Sequence, residues 1–242
     1  MLDLLAFDLD GTLADTETLK AMSYGWAAHR LRPDLDPADV ETAYLPYVGR
    51  SRREIARGLA EQFGLAEAAR AHDARAEPWE TFVALRLERY RAMLVDGALV
   101  RRHAVEPIVA LARRGRTLAR STALVTTTDR RNASLVLDAL GLAAAFDVVV
   151  TSDDVVHTKP HPEPYRLAVQ RLDAAPARTL AIEDSPAGLR GALAAGVLVA
   201  AVPSAHTRGA VDAMVATGEL SRDAVVTPDA LAERVSPARA RR

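Results

Sequence analysis

The sequence predicts an α/β protein, a doubly wound parallel sheet interrupted by an all-helical insertion. Three observations carry that expectation. The chain opens on a short apolar run, Leu2–Leu9, that ends in Asp-Gly-Thr, as a buried strand entering a turn does. From about Val100 onward, strand-like apolar runs alternate with single helices, which implies parallel pairing through right-handed crossovers. In between, from about Thr16 to Leu99, the periodicity is helical and no strand pattern occurs. The expected division is a core of residues 1–15 and 100–242 and an insertion of residues 16–99.

Within the insertion, Thr16–Leu31 reads as one helix, and Pro37 after Asp36 marks the start of a second. Ser51 with Glu54 forms a capping-box pattern ahead of Ile55 and Leu59, and Pro78 opens a helix through Leu94. The core then reads helix Val105–Arg114, strand Ala123–Thr127, helix Asn132–Leu140 and strand Phe146–Val150. Helix Pro164–Leu172, strand Leu180–Glu183, helix Ala187–Ala195 closed by Gly196, and strand Val197–Val202 follow. Arg116–Ser121 fits no element in this scheme, and Ser236–Arg242 reads as a solvated end.

Composition narrows the function classes. With 49% hydrophobic and 26% charged residues the chain is an ordinary globular sequence, and a formal net charge of -1 provides no field to attract nucleic acid or an anionic membrane. There are no cysteines, which removes disulfides, thiolate nucleophiles and cysteine-ligated zinc and suits a cytoplasmic protein. Asp3, Asp8 and Asp10 break the apolar N-terminal stretch, so no signal peptide is expected, and no apolar run approaches the roughly 20 residues of a membrane helix. Of 31 basic residues only Lys20 and Lys159 are lysines.

In a doubly wound sheet, ligands bind at the carboxyl ends of the strands near the switch in strand order. The first strand ends in Asp8-Leu9-Asp10-Gly11; while the backbone is extended, both carboxylates can face one pocket, and Gly11 permits a sharp turn beyond them. The second ends in Thr126-Thr127-Thr128, the third is followed by Thr158-Lys159-Pro160, and the fourth ends in Glu183-Asp184-Ser185. Each alone reads as a turn, a helix cap or a surface charge. Together, and in this order, they gather acids that would repel one another without a divalent cation. Oxygen donors, with no Cys/His spacing, select Mg2+ over zinc.

These stretches, FDLDGT (Phe7–Thr12), ALVTTT (Ala123–Thr128), KPHPEPY (Lys159–Tyr165) and EDSPAG (Glu183–Gly188), resemble the four motifs of the haloacid dehalogenase superfamily of phosphohydrolases, in the branch with a helical cap inserted after the first motif. The resemblance covers nearly the whole chain and implies a Rossmann-like catalytic core and a phosphoric monoester hydrolase. It implies that Asp8 attacks phosphorus to form an aspartyl-phosphate, and that Asp10 serves as general acid and then base. Mg2+ would be held by Asp8, the Asp10 carbonyl, Asp184 and Glu183, and Thr126 and Lys159 would bind the transferring oxygens.

Asp15-Thr16-Glu17 and the insertion are similar to the β-phosphoglucomutase and sugar-phosphatase group, while the threonine triplet and ADTET (Ala14–Thr18) resemble xylulose-1,5-bisphosphate phosphatases. The implied substrate is a small phosphorylated metabolite of the sugar phosphate class, with Lys20, Arg52 and Thr127 as substrate-binding candidates. Gly49-Arg50-Ser51-Arg52 resembles the stretch that meets the non-reacting end of the substrate. Lys20 replaces a histidine of the mutases, which weighs against the phosphomutase alternative. A receiver-type signalling module would need its phosphate acceptor on a later strand, where only Asp153-Asp154 in the following loop are present. His161 reads as a turn residue, and Arg130-Arg131 as helix surface.

Overall fold

The computed structural model of the protein describes residues 2–48 and 52–235. The chain runs from β1 (Leu2–Phe7) into five helices, α1 (Thr16–Leu31), α2 (Pro37–Tyr44), α3 (Arg52–Gln62), α4 (Ala66–His72) and α5 (Pro78–Asp96). After α6 (Ala98–Arg102), α7 (Glu106–Arg113) and α8 (Gly115–Leu118) come β2 (Ala119–Val125), α9 (Arg130–Ala139), β3 (Val148–Val150) and α10 (Glu163–Arg171). The described chain closes with β4 (Thr179–Glu183), α11 (Pro186–Ala194), β5 (Leu198–Ala201), α12 (Arg208–Ala216) and α13 (Pro228–Val235). It divides into two compact units: the residues up to Asp15 with those from Val100 onward, and Thr16–Leu99.

The second unit is helical among its described residues, and its helix ends are written in the sequence. Asp36 accepts a hydrogen bond from the Ala38 N–H with Pro37 at the first helical position of α2. Glu77 and Glu80 form a reciprocal capping box at the start of α5, and Gly97, at φ 67°, stops that helix in the left-handed region. Ser51, half of the capping pattern expected before α3, lies outside the described residues, as do Gly49, Arg50 and the Ser236–Arg242 end. The core of this unit packs small and aliphatic side chains around an aromatic cluster: Tyr24 stacks on Tyr44 with ring centroids 5.4 Å apart and meets Phe82 at 5.4 Å.

The first unit carries a five-stranded sheet of order β3-β2-β1-β4-β5 in which every pairing is parallel. This is the α/β architecture the alternating pattern predicts. Strand β1 lies at its centre, and Leu4, Leu5, Ala6 and Phe7 are all buried, as a strand covered on both faces requires. Each fully buried Leu or Phe here contributes about 1.5–3 kcal/mol of apolar burial. The chain moves outward from β1 to β2 and β3, then returns to place β4 on the other side of β1. The carboxyl ends of β2, β1 and β4 are therefore neighbours at the reversal of strand order, where ligands bind in such sheets.

The second strand differs from expectation, and the difference accounts for Arg116–Ser121. Strand β2 begins at Ala119, not Ala123, and ends at Val125, while residues 115–118 form the short helix α8. Polar side chains mask the start of the strand. Arg120 donates to the carbonyls of Leu172 and Asp173, at 3.1 and 2.5 Å. The Thr122 hydroxyl donates to the Ala145 carbonyl at 2.8 Å, and Asp147 accepts from both the Thr122 N–H and Arg116, each at 2.8 Å. Gly115 allows α8 to approach, since a Cβ there would stand 2.5 Å from the Thr122 methyl. No helix among the described residues is long and apolar enough to cross a membrane.

Candidate active site

Strand β1 delivers Asp8 with its N–H still bonded to the Ile182 carbonyl at 3.0 Å, so the sheet itself fixes the carboxylate. The chain then turns: Gly11 donates to Ala14 at 2.7 Å with φ 85°, a conformation that favours glycine. Space imposes a second demand, because a Cβ on Gly11 would come within 2.2 Å of Asp184 Oδ2. The turn therefore brings bare backbone against the acid at the end of β4.

Lys159 is drawn inward from the loop after β3 until its side chain is only 3% exposed. Its ammonium has three donors and finds three acceptors: Asp8 Oδ1 at 2.7 Å, the Val125 carbonyl at 2.7 Å and Glu183 Oε1 at 2.5 Å. Glu183 is fully buried and engaged on both oxygens. Its Oε1 also accepts from the Tyr165 hydroxyl at 2.5 Å, and its Oε2 from Ser185 at 3.3 Å. Gly188 is needed beside it, since a Cβ there would lie 2.0 Å from the Glu183 carboxylate. Asp184 accepts from Thr207 at 3.2 Å, and the Thr207 hydroxyl is itself oriented by the Ser204 N–H at 3.0 Å.

Charge in this pocket is unbalanced. Asp8, Glu183 and Asp184 offer carboxylate oxygens that all lie within 4.8 Å of one another. Three ionised acids against the single Lys159 ammonium leave two uncompensated negative charges. Burial, reinforced by the Glu183 charge and only partly offset by Lys159, pushes the Asp8 carboxyl up to about 7. Burial and the Asp8 and Glu183 charges likewise hold Asp184 well above the ordinary carboxylate range. Burial alone would lower Lys159, but Asp8 and Glu183 outweigh it and raise the lysine. A divalent cation fits this donor set: it matches the missing charge, and the ligands are all oxygen.

Asp10 is partly exposed, and its Oδ2 accepts from the Thr128 hydroxyl at 2.6 Å and from Thr126 at 3.3 Å. Thr126 is buried and also receives the Thr128 N–H at 3.0 Å, which ties the turn after β2 together. Thr127, between them, is exposed. The structure thus brings together six of the expected residues: Asp8, Asp10, Thr126, Lys159, Glu183 and Asp184. Lys20 and Arg52 belong to the helical unit. There Lys20 donates to Glu17 at 2.6 Å, Glu17 also accepts from the Tyr44 hydroxyl, and Arg52 stands exposed at the start of α3.

Tyr165, Thr128, Ser185 and Thr207 were not singled out from the sequence as site residues. The first three fall inside the motif stretches or directly beside them, where their spacing could have drawn notice; Thr207 carries no local signal. The acids after β3 are bound up in the turn. Asp154 accepts from the Thr151 N–H and hydroxyl at 2.9 and 2.8 Å and pairs with Arg130 at 2.5 Å, while Asp153 accepts the Arg130 N–H at 3.0 Å. They are not presented as a receiver's phosphate acceptor would be.

A parallel sheet with buried acids and one buried lysine at its switch point defines a class of phosphate-processing α/β enzymes. Residues 2–196 match the family model of haloacid dehalogenase-like hydrolases. The chain belongs to that family and is a phosphoric monoester hydrolase. It is 32% identical over 211 residues to protein CbbY of Cereibacter sphaeroides, covering 86% of this chain and 87% of that one. It is 33% identical over 201 residues to pyrophosphatase PpaX of Bacillus thuringiensis (strain Al Hakam), covering 81% of each. A crystal structure of a CbbY variant from Rhodobacter sphaeroides in complex with xylulose-1,5-bisphosphate superposes with a TM-score of 0.64 at 28% identity, covering 86% of this chain and 89% of that chain.

Proposed function

We propose that the protein is a Mg2+-dependent phosphatase that hydrolyses a small sugar phosphate through an aspartyl-phosphate. The observation that carries this is the position of Asp8: a buried carboxylate, fixed by the sheet, in contact with Lys159 and two residues from the more accessible Asp10. An Asp8 oxygen forms the bond to phosphorus as the bond to the leaving oxygen breaks, and Asp10 gives that oxygen its proton. A water then attacks the phosphorus, Asp10 takes its proton, and inorganic phosphate leaves with Asp8 restored. Thr126 and Lys159 hold the transferring oxygens, and Glu183 with Tyr165 keeps Lys159 directed at Asp8. Asp8, the Asp10 carbonyl, Asp184 and Glu183 would hold Mg2+ directly or through water, and the ion would supply charge neutralisation at the phosphate.

The sugar phosphate reading rests on the CbbY relatives, one of which is seen with xylulose-1,5-bisphosphate. The helical unit serves as the cap and supplies substrate selection, with Lys20, Arg52 and, from the core, Thr127 as contacts. Its lysine at position 20 does not favour the mutase alternative. Near-neutral charge and absent cysteines fit a cytoplasmic enzyme acting on small molecules, with neither nucleic acid nor membrane as partner. The test is phosphate release from a panel of sugar mono- and bisphosphates, nucleotides, acid phosphates and pyrophosphate, with Asp8→Asn as control. Preference for a sugar phosphate, lost in Asp8→Asn, supports the proposal. Preference for pyrophosphate would overturn the substrate class, and undiminished turnover by Asp8→Asn would overturn the mechanism.

A further inference from the structure

The loop that delivers Lys159 carries a second group of metal-binding side chains with a chemistry different from that of the buried acids. His157, His161 and Glu163 each offer a ligand atom, and these atoms lie within 4.8 Å of one another. His157 Nδ1 is 3.1 Å from Glu163 Oε2, and His161 Nδ1 is 3.8 Å from the same oxygen. The two imidazole rings face each other with centroids 4.6 Å apart. The side chains are 64%, 47% and 31% exposed, so an ion has access and coordinating water has room.

We propose that His157, His161 and Glu163 form a surface site for one divalent transition ion of the Zn2+ kind. Tetrahedral zinc, with nitrogen and oxygen ligands about 2.0–2.2 Å from the metal, places its ligand atoms roughly 3.3 Å apart. The two measured separations from Glu163 bracket that value, so closing the site needs only side-chain adjustment. Two imidazoles with one carboxylate suit Zn2+, Ni2+ or Cu2+ and do not suit Mg2+, which prefers oxygen. Water would complete the shell.

The local structure already fixes the carboxylate, and a bound ion would take the place of the proton that His157 Nδ1 shares with it. Glu163 opens α10 and accepts the Val156 N–H at 2.9 Å and the His157 N–H at 3.0 Å, which clasps the loop to the helix and fixes the carboxylate. Those donors, the Val156 N–H above all, hold the Glu163 carboxyl below its usual value. His161 Nδ1 accepts the Glu163 N–H at 3.2 Å, a bond that an ion ligated by this nitrogen would displace. Lys159 stands between the two histidines in sequence, yet its ammonium is turned inward to Asp8 and Glu183, where it does not repel a surface cation.

The experiment is calorimetric titration of the untagged full-length protein with ZnCl2 in buffer saturated with Mg2+, alongside His157→Asn, His161→Asn and the double variant. Co2+ absorption provides an independent readout of nitrogen ligation. Wild-type protein is expected to bind one equivalent, and either single variant to lose affinity by at least about 10-fold, the scale on which even outer-shell changes act. The double variant should bind no Zn2+ at this site. Thermal melts in chelator verify that each variant is folded, and Glu163→Gln is kept apart because Glu163 also clasps the loop. No binding by wild type, or binding of equal strength and stoichiometry in the folded double variant, overturns the proposal. The outcome is independent of whether the enzyme cleaves sugar phosphates.

Discussion

Asp8 is placed where its charge is poorly tolerated, so Asp8→Asn should make the metal-free protein more stable while abolishing turnover. In the folded chain the carboxyl titrates near 7, against an ordinary value of 3.8. Between those two values the native state holds a proton that the unfolded chain has released. Unfolded Asp8 therefore binds fewer protons, and stability falls as pH rises from about 4 to 7. Asparagine resembles the protonated side chain and can still accept from Lys159, so it escapes that loss. Each tenfold difference in proton affinity between the folded and unfolded chain is worth about 1.36 kcal/mol. The advantage of Asp8→Asn is then about 2 kcal/mol at pH 5 and about 4 kcal/mol at pH 8.

For a chain of this length, about 1 kcal/mol moves Tm by roughly 2–4 °C, so the variant should melt about 10 °C higher at pH 8 and about half that at pH 5. Differential scanning calorimetry of both proteins in chelator at the two pH values measures the difference, and comparing variants cancels the titration of other groups. Added Mg2+ should narrow the gap by stabilising wild type at pH 8 more than the variant. An Asp8→Asn protein that melts at or below wild type in chelator at pH 8, or a gap that does not grow with pH, would refute the electrostatic reasoning.

Chelation should abolish phosphate release, and Mg2+ should restore it; full activity in metal-free buffer would contradict the charge balance drawn for the pocket. Gly188→Ala puts a methyl group 2.0 Å from the Glu183 carboxylate, so stability should fall by about 1–3 kcal/mol and kcat should drop as Lys159 loses its anchor. A wild-type melt and kcat would show that Glu183 can move without consequence. Arg52→Ala should raise KM for the natural substrate about 10- to 150-fold while leaving p-nitrophenyl phosphate, which has no remote group to bind, almost unaffected. Equal losses on both substrates would reduce Arg52 to a surface charge.

What the sequence disclosed followed physical regularity. Strand β1 was legible because a strand buried on both faces is a continuous apolar run, and Asp-Gly after it marks its end. Its neighbour β2 was displaced by four residues because Arg120, Ser121 and Thr122 make the first half of that strand polar, with Arg120 and Thr122 satisfying carbonyls and a carboxylate at the sheet margin. In the threonine triplet, residue type could not say which hydroxyl turns inward. The fold resolves it: Thr126 and Thr128 meet Asp10, and Thr127 faces out. Thr207 was invisible because its partner, Asp184, is brought near only by the return of the chain after β5.

Glu183 and Asp184 are adjacent in sequence but are asked to do different work by their surroundings. Glu183 spends its oxygens on Lys159, Tyr165 and Ser185, so its charge is committed to holding the lysine against Asp8. Asp184 receives one hydroxyl, from Thr207, and lies against the bare backbone of Gly11. Of the two, Asp184 has the fewer protein donors on its carboxylate. Alternation along the end of β4 produces that split by sending one acid into the packed interior and the next toward the turn after β1. Both glycines follow from it, since Gly188 makes room for the Glu183 carboxylate and Gly11 for that of Asp184, and both acids are buried.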